Sequence, residues 1–122
     1  MLAVALEGGS VGVYADDGLP VDPAADPQIK STRGAEVLCV QWHPFEPLLA
    51  VGWSDGVVTL WDAREKRAGE DKVTHTAAVQ VLQWSPDGRR LVAGDASGKL
   101  GVYKVDRRRP IPVVKYQVRC YP

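Results

Sequence analysis

One block of sequence recurs along this chain, and the repetition constrains the fold more than any other feature. The best copy is LLAVGWSDGVVTLWD at residues 48–62. Its Gly56 recurs as Gly98, 42 residues later. The same offset relates four further pairs of marker positions, which are Trp42 and Trp84, Pro44 and Pro86, Leu49 and Leu91, and Gly52 and Gly94. A fixed period of this length indicates copies of one supersecondary unit packed side by side.

An earlier half-copy precedes these two units. Residues 2–4, LAV, match residues 49–51, and residues 9–14, GSVGVY, match residues 56–61 at an offset of 47. Together with the dipeptide Trp61-Asp62, this spacing resembles that of WD-repeat β-propellers, whose blades recur about every 40–45 residues. We therefore predict an all-β fold, an incomplete WD40-type β-propeller of about two and a half antiparallel four-stranded blades.

The repeats divide the chain into four predicted segments. Residues 1–35 form a partial first blade with an acidic, proline-rich loop at 15–27, residues 36–77 a second blade, residues 78–117 a third, and residues 118–122 the start of a truncated further blade. Because propellers close with about four to eight blades, we expect this chain to be a fragment that cannot close a ring by itself. Its unpaired strand edges then predict aggregation when it is expressed alone.

Alternating apolar residues bounded by Gly, Pro and Asp turns predict the individual strands. They are residues 2–6, 10–14 and 28–32 in the first blade, 37–42, 48–53, 57–61 and 72–74 in the second, and 79–84, 90–95, 99–105 and 111–116 in the third. The charged stretch 62–71 is predicted to be a connection or a frayed edge, and residues 106–109 a basic loop.

Positions that repeat between the units or form their turns are predicted to be structural. They are Trp42, Pro44, Gly52, Asp55, Gly56, Trp61, Asp62, His75, Trp84, Pro86, Asp87, Gly88, Gly94, Gly98 and Tyr103. Proline fixes φ at the first central position of a turn, and glycine tolerates conformations that other residues avoid, so these types are expected at such places.

Many WD repeats contain a buried hydrogen-bond network of His, Ser or Thr, Asp and Trp. Alignment places Arg33, Val51, Asp55 and Trp61 at these positions in the second blade, and His75, Ala93, Ser97 and Tyr103 in the third. Neither set is complete, so we expect the network only in part. Asp55 is predicted to accept hydrogen bonds within its own turn. His75 is predicted to fix the turn into the third blade, rather than to titrate as a sensor or bind metal.

No group of residues predicts catalysis, a cofactor or a metal site. Cys39, His43, His75 and Cys120 lack the clustered spacing of zinc ligands. Cys39 lies in an apolar strand pattern, which is typical of a small core residue. Fifteen basic and fifteen acidic residues give no net charge, which argues against nucleic-acid binding. No apolar run approaches the roughly 20 residues of a membrane helix.

Arg107, Arg108 and Arg109 form the densest basic cluster and are a candidate interaction patch. They join with residues 89–90 if the two loops lie on one rim of the propeller. An acidic protein surface or a lipid headgroup is the partner that such a patch fits. A solvated loop is the alternative, because short runs of charge are usually exposed without a partner.

Two stretches of sequence resemble one particular family more than they resemble WD-repeat proteins in general. They are WHPFEPLLAVGWSDGVVTLWD, residues 42–62, and THTAAVQVLQWSPDGRRLVAGDASGKLGVYKVD, residues 74–106. Both are similar to the N-terminal WD-repeat region of the one-hundred-and-forty-kilodalton subunit of intraflagellar transport complex A. Generic repeats read LASGSxDG where this chain has LAVGWSDG, and they have Gly-His where this chain has Thr-His-Thr. The opening LAVALEGGSVGVY resembles the first blade of that subunit.

This resemblance implies a non-catalytic scaffold that mediates protein interactions in retrograde intraflagellar transport. It implies other subunits of complex A and ciliary cargo as partners, with no nucleic acid, cofactor or transmembrane segment. The implied location is the cilium or flagellum and the cytoplasm around the basal body. One alternative stays open, which is a WD-repeat adaptor of another multiprotein complex, such as a vesicle coat. An enzyme built on a propeller is not expected, because it needs convergent acid, base or metal groups and the sequence shows no such cluster.

Overall fold

The computed structural model describes residues 1–6, 8–20, 29–31, 33–69, 73–106 and 109–117, with the backbone alone for 106 and 109–117. Within these ranges the chain forms strands and turns. No helix that is long and apolar enough to cross a membrane occurs among the described residues.

The strands form three antiparallel sheets. The first contains β1 (Leu2–Leu6), β2 (Ser10–Tyr14) and β3 (Ile29–Lys30), in that order. The second contains β4 (Val37–Trp42), β5 (Leu48–Trp53), β6 (Val57–Asp62) and β7 (Arg67–Ala68), and β8 (Val73–Thr74) also pairs with β6. The third contains β9 (Val79–Trp84), β10 (Arg90–Asp95), β11 (Lys99–Asp106) and β12 (Arg109–Gln117). The all-β, antiparallel architecture predicted from the repeats is confirmed.

The cross-strand register reproduces the repeat offsets. In each unit a leucine faces an aromatic residue of the following strand. The pairs are Leu2 of β1 with Tyr14 of β2, Leu49 of β5 with Trp61 of β6, and Leu91 of β10 with Tyr103 of β11. The innermost strands of the second and third sheets, β4 and β9, also carry a register shift at the same place, close to their first residues. The period in the sequence is therefore a period in hydrogen bonding.

Two predicted connections contain strand residues. The stretch 62–71, predicted to be a connection or a frayed edge, includes the short strand β7, because Lys66 takes a left-handed conformation (φ 55°) and turns the chain back to pair with β6. Asp106 and Arg109, predicted to lie in a loop, pair across β11 and β12. Arg107, Arg108, Cys120 and the predicted start of a further blade at 118–122 lie outside the described residues.

The core consists of two layers of side chains, one on each side of the second sheet. Leu49 and Val51 of β5 belong to the layer shared with the first sheet, whereas Leu48 and Ala50 belong to the layer shared with the third. Alternate residues of a strand point to opposite faces, so β5 is buried on both faces. This explains its unbroken apolar sequence.

Candidate functional site

A buried hydrogen-bond network joins the turn before β9 to the strands β10 and β11. His75 Nδ1 lies 2.8 Å from Asp95 Oδ2, and His75 Nε2 lies 2.6 Å from the hydroxyl of Tyr103. The side chains of His75 and Asp95 are 3% and 0% exposed. A carboxylate can only accept, so Nδ1 carries the proton that it donates to Asp95, and Nε2 shares its hydrogen bond with the hydroxyl of Tyr103. The network fixes the start of the third sheet.

Asp95 is the centre of this network, and alignment of the repeats had not singled it out. Its Oδ1 accepts the N–H and the hydroxyl of Ser97, at 2.8 and 2.5 Å, and the N–H of Lys99 at 3.2 Å. Burial alone raises the pKa of Asp95, but hydrogen bonds donated by Ser97, His75 and Lys99 outweigh it and lower the pKa to about 2. The third unit thus keeps the network in part, as expected, but Asp95 supplies the carboxylate that alignment assigned to position 97.

Tyr103 completes the network from β11 and is fully buried. Burial, with the nearby charge of Asp95 as a second cause, raises the pKa of its hydroxyl to about 12. The phenol ring lies over Gly101, where a Cβ would collide with the hydroxyl. Glycine two residues before tyrosine is therefore a packing requirement. The same arrangement recurs in the first sheet, where Tyr14 lies over Gly12.

The second unit places an ion pair where the third has its histidine. Arg33 Nε lies 2.6 Å from Asp55 Oδ2, and the two side chains are 30% and 33% exposed. The guanidinium also lies 5.2 Å from the ring centre of Trp53, within the range of a cation–π contact. Burial raises the pKa of Asp55, but the hydrogen bonds from Arg33 and from the N–H of Val57, together with the charge of Arg33, outweigh it and leave the pKa below its ordinary value. Asp55 Oδ1 also accepts the N–H of Val57, which confirms the predicted bond within the turn.

His43 connects the turns of the second and third sheets. Its Nδ1 accepts the N–H groups of Phe45 and Glu46, both at 3.0 Å, so Nε2 carries the proton and donates it to the carbonyl of Gly88 at 2.9 Å. The His43 ring meets the Trp84 ring edge to face, with centroids 4.9 Å apart. We call His43, Gly88 and Trp84 the turn clamp, since they hold two adjacent turns together.

Other predicted structural positions act within single turns. Asp62 accepts the N–H groups of Arg64 and Glu65, and Asp87 accepts the hydroxyl of Ser85 and the N–H of Arg89. Gly56 adopts φ 89°, and a side chain there would collide with the carbonyl oxygen of His75. This close approach brings the turn of the second sheet against the start of the third.

These positions do not converge on a reaction centre. Among the described residues no three His, Cys, Asp or Glu side chains are grouped so that they could hold a metal ion. Cys39 is half-buried, and burial raises the pKa of its thiol. A thiol in such a setting packs as a small apolar residue, whereas a nucleophile requires the thiolate.

A groove of about 630 Å³ lies beside the turn clamp, between the second and third sheets. Its wall includes Phe45, which is 73% exposed, with Arg64 and Arg89. We call this the rim groove. Arg89 is thus placed at the rim, but the side chain of Arg109 is not described. The basic patch with Arg107, Arg108 and Arg109 stays a prediction.

Comparisons with known proteins agree with this architecture. The family described as the IFT140 first beta-propeller matches residues 1–119. U3 small nucleolar RNA-associated protein 12 of Saccharomyces cerevisiae is 37% identical over 78 residues, which are 64% of this chain and 8% of that protein. WD repeat-containing protein VIP3 of Arabidopsis thaliana is 31% identical over 103 residues, covering 73% of this chain and 32% of that protein.

Solved structures give the same fold. A chain of the crystal structure of the Mitotic Checkpoint Complex aligns with a TM-score of 0.79 and 25% identity over 96% of this chain and 33% of its own length. The WD40 domain of Toxoplasma gondii coronin aligns with a TM-score of 0.68 and 19% identity over 84% of this chain and 27% of its own length. This chain thus spans at most about a third of each of these proteins.

The family match covers nearly the whole chain, including the half-copy at its start. WD-repeat propellers are typically non-catalytic scaffolds for protein interactions, and the matched family is associated with cilia. This chain belongs to the IFT140 first beta-propeller family of WD-repeat proteins.

Proposed function

We propose that this chain is a non-catalytic scaffold segment in retrograde intraflagellar transport, where it contributes propeller blades to complex A. The observation that carries the proposal is the match of the IFT140 first beta-propeller to residues 1–119. The partners are other subunits of complex A and ciliary cargo. The site of action is the cilium or flagellum, with a further pool in the cytoplasm around the basal body.

The hydrogen bonds that His43, His75 and Asp95 make within the fold support a role without catalysis. Both ring nitrogens of His43 and of His75 are hydrogen-bonded within the fold. A general base must instead be free to reach a proton on the substrate. Asp95 is buried and already accepts four hydrogen bonds. Turnover that disappears when His43 or His75 is replaced would contradict this part of the proposal.

The rim groove is the surface that we assign to protein contact. Phe45 offers an exposed aromatic ring, a residue type that often anchors interfaces. Arg64 and Arg89 provide guanidinium groups on the same groove, and Arg is likewise enriched at interfaces. The bonds that His43 accepts from Phe45 and Glu46 hold the groove wall in place before a partner arrives. Binding to a pre-organised wall loses less conformational entropy.

Co-purification from ciliated cells tests the proposal. The tagged chain should recover complex A subunits, and Phe45→Ser with Arg64→Ser should reduce that recovery. Leu19→Ser with Lys30→Ser is the matched control, because it also removes one exposed apolar residue and one exposed cation, but away from the groove. Recovery of vesicle-coat subunits in place of complex A would support the alternative adaptor role.

The basic patch requires its own test. Replacing Arg107, Arg108 and Arg109 together with serine should weaken partner recovery if the patch takes part in binding. Unchanged recovery in the same pulldown would remove the patch from the proposal and leave the rim groove as the assigned contact surface.

A further inference from the structure

Two arginines of the rim groove have no carboxylate partner. Arg64 follows β6 of the second sheet and Arg89 precedes β10 of the third, so each sheet contributes one guanidinium to the groove. Both residues are exposed, and neither forms an ion pair within the described part of the chain, whereas Arg33 and Arg67 each do. A guanidinium binds a carboxylate through two parallel hydrogen bonds, so this pair of arginines leaves the groove able to take an anion.

The same local geometry presents both arginines. Each follows an aspartate by two residues. In the second sheet the N–H of Arg64 donates to Asp62 Oδ1 at 2.8 Å, and in the third the N–H of Arg89 donates to Asp87 Oδ1 at 3.0 Å. Asp87 Oδ1 also accepts the hydroxyl of Ser85 at 2.6 Å. The two carboxylates therefore stabilise their turns, without forming an ion pair with the arginines that follow them.

The groove offers an apolar surface beside these charges. The ring of Phe45 is 73% exposed, while Leu48 and Val105 line the groove from buried and half-buried positions. His43 Nδ1 accepts the N–H of Phe45, and the two rings meet edge to face with centroids 6.0 Å apart. An aromatic side chain held in this way loses little freedom on binding. The groove thus suits a ligand that carries an apolar group next to an anionic one.

Two acidic side chains, Glu46 and Asp87, also line the groove and limit the anions that fit. The phosphates of nucleic acid form a continuous row of negative charge and have no hydrogen to donate, so these carboxylates repel them. An anionic membrane presents its charge as a plane, which a groove between two turns contacts only at its rim. A polypeptide has single acidic side chains that pair with arginine, and backbone N–H groups that donate to carboxylates. It therefore matches the mixed charges of the groove.

We infer that the rim groove binds a short acidic segment of a partner protein, in which an acidic residue stands next to a large apolar one. The carboxylate of the segment bonds Arg64 and Arg89, and the apolar side chain packs against Phe45 and Val105. Backbone N–H groups of the segment donate to Glu46. The inference rests on the proposed assignment of this groove to protein contact and adds the chemistry of the partner segment.

Peptide binding to the immobilised chain tests the inference directly. The 122-residue chain is attached to a surface at low density, so that copies do not associate. The probe is a synthetic peptide in which aspartates flank a Leu-Phe pair, and its control has asparagine in place of each aspartate. The acidic peptide should bind about tenfold more tightly or better, because an amide cannot form the charge-assisted hydrogen bonds of a carboxylate, and added salt should weaken it. Equal affinity of the two peptides would overturn the inference.

Paired substitutions locate the binding site. Arg64→Gln with Arg89→Gln should weaken binding of the acidic peptide about tenfold or more. The turns should remain intact, because their hydrogen bonds to aspartate use the backbone N–H groups. Lys30→Gln with Lys99→Gln is the matched control, since it removes two exposed cations away from the groove and should leave binding unchanged. Equal losses in the two double variants would mean that the peptide responds only to net charge, which contradicts a site at the groove.

Vesicles of phosphatidylcholine and phosphatidylserine are the probe for a membrane. They should bind the parent chain and the variant with Arg64→Gln and Arg89→Gln equally weakly. Vesicle binding that disappears in this variant, together with no binding of the acidic peptide, would assign the groove to a membrane and overturn the inference.

Competition in the pulldown from ciliated cells separates this inference from the proposed function. The acidic peptide, but not its asparagine control, should release complex A subunits from the tagged chain. Subunits that are recovered through the groove, as judged by Phe45→Ser with Arg64→Ser, but are not released by the peptide would overturn the acidic segment and support the proposed function. Peptide binding that requires Arg64 and Arg89, without any recovery of complex A, would support the acidic segment and contradict the proposed function.

Discussion

The second and third sheets place different chemistry at the same point of the repeat. In the third, His75, Asp95 and Tyr103 form a network closed to solvent. In the second, Arg33 and Asp55 form an ion pair that is about one-third exposed. Both arrangements tie the entry of a blade to its central hairpin, but only one of them is shielded from water.

This difference determines how much each polar group contributes to stability. A buried hydrogen-bonded charge costs its full desolvation when its partner is removed, whereas an exposed ion pair is replaced by water at little cost. The third unit should therefore depend on its polar network. The second should depend mainly on packing around Trp53, which is almost fully buried.

The largest expected effect is that of Asp95→Asn. An amide cannot reproduce the four hydrogen bonds that the carboxylate accepts, so the free energy of unfolding should fall by about 3 kcal/mol, the scale on which the loss of hydrogen bonds to a buried charged group is felt. Urea denaturation at neutral pH measures this change. Asp87→Asn, at an exposed turn carboxylate, should have a clearly smaller effect. Equal losses would contradict the special role of the buried network.

Tyr103→Phe should have the next largest effect. It removes the hydroxyl that bonds His75 Nε2 and leaves that buried nitrogen without its partner, at a cost of about 1–2 kcal/mol. Tyr14→Phe is the matched control, because Tyr14 occupies the equivalent position of the first sheet and is only half-buried. Thermal unfolding of the two variants should separate them. A larger loss for Tyr14→Phe would reverse the expected order.

The pH dependence of stability should distinguish the two units further. The folded-state pKa of Asp95, about 2, lies below the unfolded value near 3.9, so its contribution is present above pH 4 and is lost as the pH falls toward 2. The folded-state pKa of Tyr103, about 12, lies above its ordinary value near 10, so stability should also decline as the pH rises from 10 to 12.

Denaturation curves of the substituted chains test the origin of these two limbs. The acid limb should flatten in Asp95→Asn more than in Asp55→Asn, and the alkaline limb should flatten in Tyr103→Phe. If the loss of stability at low pH is the same in Asp95→Asn as in the parent chain, other carboxylates cause that loss.

The smallest effect is expected for Arg33→Gln. The ion pair with Asp55 is partly exposed, so its removal should cost less than about 1 kcal/mol, and less still at high salt. A double-mutant cycle of Arg33→Gln with Asp55→Asn should give a smaller coupling energy than one of His75→Gln with Asp95→Asn. Similar coupling energies in both cycles would remove the distinction between the two units.

Local sequence signals were sufficient for most of the strands and for their order, although they gave no separate strand for β7. Period-two patterns and turns such as Pro86-Asp87-Gly88 act within a few residues, and the repeat offset carries them from one unit to the next. The register of β5 with β6 and of β10 with β11 follows directly, because a shift by one residue would exchange the two faces of the strand.

The polar network was not predictable from position alone. Alignment assigned the carboxylate to position 97, whereas the fold requires only that a carboxylate reach His75, and Asp95 does so from the end of β10. The sequence did contain a signal, because two residue types have changed places. This chain has Asp95 followed by Ser97, where generic repeats have Ser followed two residues later by Asp. The turn clamp left no such signal, because His43 and Gly88 meet only after the sheets pack.

The common register of the three hairpins has a consequence for folding. β4 and β9 present equivalent edges to β5 and β10, so each is a plausible partner for the hairpin of the other unit. Exchanged pairings of this kind are characteristic traps in the folding of repeat proteins. Contacts that differ between the units, such as the Asp95 network, then stabilise the correct pairings over the exchanged ones. The chemical differences between the blades thus help to specify which strands find each other.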